Sequence, residues 1–227
     1  MVNPNEFLIL NKDSKGVIYV LINGILIQHP LPKNIDEQKC FDKIALEKDV
    51  DGLSSHNFGK MAFHKETLGA ATPTGIMNIL DFYNIDVAGK SACVIGRSSI
   101  LGKPAALMLL NKDATVTMCH SKTKKLKDIV KRSDIVVAAL GEPEFIKKEW
   151  LKEDTIVIDT GYSYVNGHSV GDVESPEGVA SFYTPVPGGV GPVTIATLLN
   201  NTLIAAQNQK VKEKVISKGK QYIKEDK

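Results

Sequence analysis

Four short apolar runs constrain this chain more than any other feature: Ser91–Gly96, Ala114–Cys119, Asp134–Gly141 and Thr155–Gly161. Stretches with helical spacing separate the first three. One carries Ala105, Ala106, Leu107, Leu109 and Leu110, and the other is the lysine-rich segment from Lys124 to Lys131. Buried strands alternating with helices read as an α/β fold with a mainly parallel sheet, in which ligand contacts gather at the C-terminal ends of the strands. Here those ends are Gly96, His120-Ser121, Gly141 and Gly161-Tyr162.

The first of these ends is the most informative. After Ser91–Ile95 comes Gly96-Arg97-Ser98-Ser99-Ile100-Leu101, and Gly102-Lys103-Pro104 opens the next helical pattern. Such a turn leaves backbone N–H groups unpaired beside the positive end of a helix dipole, a setting that suits a phosphate. The spacing from Gly96 to Gly102 is not G-x-G-x-x-G. Spacing alone therefore leaves both nucleotide binding and an ordinary strand–helix turn open. The end of the second strand carries His120-Ser121-Lys122-Thr123 and no carboxylate. An acidic residue there favours a free ribose 2′-hydroxyl, whereas arginine and small hydroxyls accept a 2′-phosphate. With Arg97 on the first turn, the reading is NADP rather than NAD. A solvated basic loop is the alternative, since Lys122, Lys124, Lys125 and Lys127 follow at once.

At 227 residues, 43% hydrophobic, with a formal net charge of +2, the chain can build one large domain or two small ones. The near-neutral balance argues against nucleic acid as the main partner. Cys40, Cys93 and Cys119 lack C-x-x-C spacing, so neither a disulfide framework nor a metal site is expected. Cys93 and Cys119 lie inside apolar strands and read as buried small hydrophobes. No apolar run approaches a membrane span, and the N-terminus lacks a secretory pattern, so a cytoplasmic protein is expected.

Nearer the N-terminus, Asn23-Gly24 between Val17–Ile22 and Ile25–Ile27 carries the local signal of a hairpin, although the stretch that follows supports a different reading. Gln28 ends the second run, either as a hydrogen-bonding group in a cleft or as a solvated loop residue. Ile35–Leu46 has helical spacing. In the polar loop that follows, Asp49 and Asp51 point opposite ways on an extended backbone, so at most one of them faces a given ligand. Ile76, Ile79, Leu80 and Tyr83 mark an amphipathic helix with Pro73 near its first turn. Asn166-Gly167 signals a second hairpin. Tyr183–Thr194, the densest proline and glycine stretch, either approaches a flat ligand closely or serves as a connector. A helix from Thr194 to about Gln207 is expected to run into a solvated lysine-rich tail.

Five stretches occur together and in order: Gly24–Pro32, Lys48-Asp49-Val50-Asp51-Gly52, Gly96-Arg97-Ser98, His120-Ser121-Lys122-Thr123 and Thr184–Pro192. Together they closely resemble the bifunctional methylenetetrahydrofolate dehydrogenase/methenyltetrahydrofolate cyclohydrolase family (FolD type). The resemblance implies a Rossmann-like NADP-binding lobe over 75–194. It also implies an incomplete α/β folate-binding lobe over 1–74, completed by a C-terminal helix at 195–227. It further implies a folate substrate, a homodimer, and enzyme activity in one-carbon metabolism and purine biosynthesis.

By the same resemblance, Gly96, Arg97 and Ser98 contact the cofactor phosphates, with Arg97 and Ser121 near the 2′-phosphate. Tyr162 stands where relatives usually carry isoleucine, whose backbone meets the nicotinamide amide. Asp51 matches the carboxylate that hydrogen-bonds the pterin, and Gln28 the glutamine that supports the catalytic lysine. Pro187, Gly188 and Gly189 match the loop lining the folate site. The family's Tyr-x-x-x-Lys helix has no counterpart: Asn23 stands four positions after Tyr19, and Lys12 and Lys15 lack the tyrosine partner. The usual Pro-Cys-Thr-Pro is Ala70-Ala71-Thr72-Pro73. Loss of that lysine is expected to harm the hydrolytic step more than hydride transfer. A non-catalytic NADP-binding or dimerising remnant is the alternative reading.

Overall fold

The structure is a computed structural model that describes residues 9–12 and 18–225, with side-chain surroundings for 22–210. Strands β1 (Ile9–Lys12) and β2 (Ile18–Leu21) pair antiparallel, and helices α1 (Glu37–Phe41) and α2 (Ser55–Ala62) follow. Helix α3 (Ala71–Phe82) leads into β3 (Ser91–Ile95), α4 (Gly102–Asn111), β4 (Thr115–Cys119), α5 (Leu126–Lys131), β5 (Ile135–Ala138) and β6 (Ile156–Asp159). A hairpin of β7 (Ser163–Val165) and β8 (His168–Val170), the short β9 (Phe182–Tyr183) and the long α6 (Val190–Glu225) complete the chain.

The five central strands lie in the order β4-β3-β5-β6-β9, all parallel. Chain order runs from β3 outward to β4 and then crosses back past β3 to β5. The strand direction of travel thus reverses between β3 and β5, and a crevice opens at their C-terminal ends. Alternation along β3 sends Ala92 and Val94 to one face, with Ile76, Leu80 and Leu109. Cys93 and Ile95 go to the other, with Val130, Ile146 and Leu151. Both faces are therefore covered, as a parallel sheet requires. The Cys93 and Cys119 thiols are buried 3.6 Å apart among these side chains, consistent with their reading as small hydrophobes.

Three local expectations give way. Asn23-Gly24 is not a hairpin turn. Ile25 instead donates its N–H to the Lys48 carbonyl at 2.7 Å and bridges Asp49 in parallel, while Asn23 exchanges hydrogen bonds with Gln209. A Cβ at Gly24 would lie 2.6 Å from a Val50 methyl, so this glycine serves a close approach. The helix expected over Ile35–Leu46 is only α1. Asp36 caps its start through the Lys39 N–H, and Asp42 turns away to the N–H and hydroxyl of Ser55. Helix α6 begins at Val190, ahead of Thr194, because Pro192 falls within its first turn, where no N–H is needed. It continues as helix to Glu225, past the expected end near Gln207. The hairpin at Asn166-Gly167 is present, with both residues at positive φ (50° and 84°), as a type I′ turn demands.

Candidate functional site

The turn after β3 shows why glycine stands at its start. Gly96 has φ +134°, and a Cβ there would overlap the carbonyl of Ala139 at the end of β5. A side chain would fill the crevice between the two strands. Gly102 packs its Cα against the Gly96 carbonyl in the same way, which draws the start of α4 up to the strand end. The Ser98 hydroxyl oxygen accepts the N–H groups of Leu101 and Gly102, both at 3.2 Å, so it caps the helix and keeps its own proton free to donate. Among the described residues, the N–H groups of Arg97, Ser98 and Ser99 meet no acceptor. Arg97 and Ser98 are exposed, and so is Ser121 at the end of β4. Next to Ser121, the His120 N–H is bonded to the Thr123 hydroxyl at 2.8 Å. A cradle of free donors beside a helix N-terminus and a surface arginine fits the phosphates of a dinucleotide.

A cavity of about 470 Å³ opens between the end of β6 and the start of α6. Tyr162, Pro187, Gly188 and Gly189 line it, together with Thr72, Asp159, Thr160, Gly161 and Ile195. These are the proline–glycine loop and strand end that the sequence singled out, now forming one wall each. Tyr162 is exposed, and its phenol oxygen accepts a hydrogen bond from the Ser169 hydroxyl at 3.2 Å.

The two aspartates of the Lys48–Gly52 stretch separate cleanly. Asp49 is wholly buried, and its carboxylate accepts from the N–H groups of Leu53 (3.2 Å) and Ser54 (2.9 Å) and from Asn57 Nδ2 (2.7 Å). Asp51 is half-buried, and burial together with the Asp49 charge raises its carboxyl above the usual range, against a lowering pull from His29. The Asp51 carbonyl accepts the Ala71 N–H at 3.1 Å, one residue from the cavity-lining Thr72. Gln28 is exposed, outside the cavity lining, and bonds the His29 carbonyl at 3.2 Å. The Ile25–Asp49 bridge brings its segment alongside that of Asp51. Tyr19 lies on β2 and Lys12 on β1, in strand rather than helix, and Lys15 is outside the described residues.

Sequence reasoning missed Thr72, Thr160 and Ile195. Thr72 lies in the first turn of α3 and Ile195 in α6, and no helical spacing or turn signal marks either as facing a cavity. Sequence reasoning also passed over Asp159 and Asp172, two buried carboxylates that, among the described residues, bond only to backbone N–H groups. Burial holds Asp159 above the usual carboxylate range, against the hydrogen bonds it accepts from Asp172, Val173 and Gly161.

A doubly wound parallel sheet with a glycine-floored crevice at its switch point, beside a second cavity roofed by a proline–glycine loop, defines a dinucleotide-binding α/β protein. Residues 70–210 match the model of the tetrahydrofolate dehydrogenase/cyclohydrolase NAD(P)-binding domain, and residues 10–51 that of the tetrahydrofolate dehydrogenase/cyclohydrolase catalytic domain. The bifunctional protein FolD of Acidobacterium capsulatum is 54% identical over 188 residues, 82% of this chain and 66% of that protein. That of Cellvibrio japonicus is 54% identical over 190 residues, 83% of this chain and 67% of that protein. The crystal structure of FolD from Campylobacter jejuni superposes with a TM-score of 0.81 at 42% identity, over 83% of this chain and 68% of that one. The Trypanosoma brucei enzyme, solved with NADP cofactor and inhibitor, gives 0.78 at 40% identity, over 83% and 68%. The chain belongs to the FolD family of tetrahydrofolate dehydrogenase/cyclohydrolases, and spans about two thirds of the length of these relatives.

Proposed function

We propose that the chain oxidises 5,10-methylenetetrahydrofolate to 5,10-methenyltetrahydrofolate with NADP, and hydrolyses the product to 10-formyltetrahydrofolate. The observation that carries this reading is the pairing of the Gly96 crevice with the cavity under Pro187-Gly188-Gly189, both at the C-terminal ends of one parallel sheet. In this reading the free N–H groups of Arg97 and Ser98 and the Ser98 hydroxyl hold the pyrophosphate, and Arg97 and Ser121 hold the 2′-phosphate. The backbone at Tyr162 orients the nicotinamide amide. Pro187, Gly188 and Gly189 offer a flat backbone surface to the pterin, Asp51 hydrogen-bonds it, and Gln28 approaches from the neighbouring segment. When bound, NADP accepts the hydride. The protein's task in that step is mainly positioning, because the adjacent substrate nitrogens stabilise the cation that forms. Hydrolysis needs proton transfers, so it depends more on a titratable group. Asp51, whose raised carboxyl holds a proton more readily than an ordinary aspartate, is the group this reading assigns.

In the same reading residues 75–194 bind the dinucleotide, and residues 1–74 with 195–227 bind folate. A polar seam from α6 supports that pairing: Asn201 donates to the Val50 and Gly69 carbonyls, and Gln209 to those of Asn23 and Glu47. A cytoplasmic homodimer belongs to the same proposal. Among the described residues, no helix is long and apolar enough to cross a membrane. The test follows two reactions on the purified chain: NADPH appearance from methylenetetrahydrofolate, and loss of methenyltetrahydrofolate above the buffer rate. Hydride transfer is expected, with hydrolysis the weaker step. Absence of any folate-dependent NADPH formation would refute the reading.

A further inference from the structure

We propose that Asp172 is a positioning residue that pins the loop after β5 to the end of β6, and so fixes the backbone wall of the dinucleotide crevice. Its effect on cofactor rests on the NADP reading above; the pinning itself does not. Asp172 is wholly buried two residues beyond β8, and one carboxylate oxygen, Oδ2, accepts both the Leu140 N–H (2.7 Å) and the Gly141 N–H (2.9 Å). These amides belong to the loop after β5 and follow Ala139, whose carbonyl floors the crevice under Gly96. The other oxygen, Oδ1, is buried without a partner among the described residues and lies against Gly161, where a Cβ would overlap it.

The chain of contacts continues to the second strand. Asp172 donates its own N–H to Asp159 Oδ1 (3.0 Å), which also accepts from Gly161 (2.8 Å), while Asp159 Oδ2 accepts from Val173 (2.8 Å). Among the described residues no lysine, arginine or histidine forms an ion pair with either carboxylate. Backbone donors alone hold them. The clasp thus ties the ends of β5 and β6 together next to Tyr162 and the cavity, without itself reaching the proposed phosphate cradle.

Because one oxygen does all the accepting from Leu140 and Gly141, an amide can replace the carboxylate there and a methyl cannot. The full chain and its Asp172→Asn, Asp172→Ala and Asp172→Ser variants are compared by hydrogen exchange at 140–141 and by calorimetric titration with NADP. Asp172→Ala is expected to speed exchange at each of 140 and 141 by about tenfold, the loss of about one ordinary hydrogen bond at each amide, and to weaken NADP binding by about tenfold. Asp172→Asn is expected to restore both to near the parent values. A folded Ala variant with unchanged exchange overturns the proposal, as does an Asn variant that behaves like Ala. If Ala does not fold, Ser is read in its place; if neither folds, retained protection in a folded Asn variant supports the pinning and lost protection overturns it. A parent that binds no NADP refutes the cofactor reading, and the pinning is then decided by exchange alone.

Discussion

Removing the Asp49 side chain should destabilise the protein far more than changing Asp51, two residues away. The Asp49 carboxylate is fully buried and accepts three hydrogen bonds that close the loop from Asp49 to Asn57. In Asp49→Ala the buried Ser54 N–H loses its acceptor, and the buried Asn57 amide keeps only its 3.5 Å bond to the Asp49 carbonyl. The Leu53 N–H makes the longest of the three bonds, 3.2 Å, at a part-buried position. Two strong charge-assisted bonds and one weak one correspond to about 3–5 kcal/mol. Set against a typical total of about 5–15 kcal/mol, that is a large fraction of the stability. Urea unfolding followed by the fluorescence of Trp150, the only tryptophan, should show the midpoint falling by about 1–3 M. Asp51→Asn should move the other way at neutral pH. Burial raises the folded-state pKa of Asp51, so its stabilising contribution is complete in acid and is lost as pH rises through that raised value. Asparagine never takes on the charge, so its advantage should appear at neutral pH and close in acid, while folate binding weakens. An Asp49→Ala midpoint no lower than that of Asp51→Asn would refute this division of roles.

Three further perturbations probe other parts of the molecule. Gly96→Ala should cost about 1–3 kcal/mol from the positive φ alone and should also weaken NADP binding, since the new methyl intrudes on the Ala139 carbonyl; unchanged binding by calorimetry would contradict the crevice assignment. Asp134 is held down to about 2 by its Lys152 partner and by the N–H and hydroxyl of Ser91, so its contribution is present above the ordinary value of 3.8 and lost as pH falls toward 2. Its side chain is 33% exposed, so Asp134→Asn should cost only about 0.5–1 kcal/mol at neutral pH and almost nothing near pH 2, measured by denaturant titration at each pH. Arg97→Ala should raise the dissociation constant for NADP by about tenfold and leave that for NAD nearly unchanged, because only the former carries a 2′-phosphate; equal losses for both would place the arginine elsewhere.

Much of the architecture was legible from neighbouring residues. The strands β3, β4, β5 and β6 announced themselves as apolar runs, and the Asn166-Gly167 hairpin as a pair of residues that tolerate positive φ. Asn23-Gly24 carried the same local signal and meant something else, because its neighbours pair with Lys48 and Asp49 and its asparagine with Gln209. The extent of α6 was misread for a related reason: a proline that ends helices elsewhere is harmless in a first turn. Tyr162 and the Pro187–Gly189 loop, singled out separately, do meet at one cavity, whereas Gln28 and Asp51 stay outside its lining.

By itself the sequence determined the alternation of strands and helices, the glycine at the crevice and the family, since periodicity and backbone freedom are properties of consecutive residues. Tertiary structure alone decided which of Asp49 and Asp51 is enclosed, and that Asp159 and Asp172 clasp two strand ends. It also brought Asn201 onto the Val50 carbonyl from 151 positions away. The physical reason is that a buried polar group must find its partner wherever the folded chain supplies one, and no local pattern records where that will be.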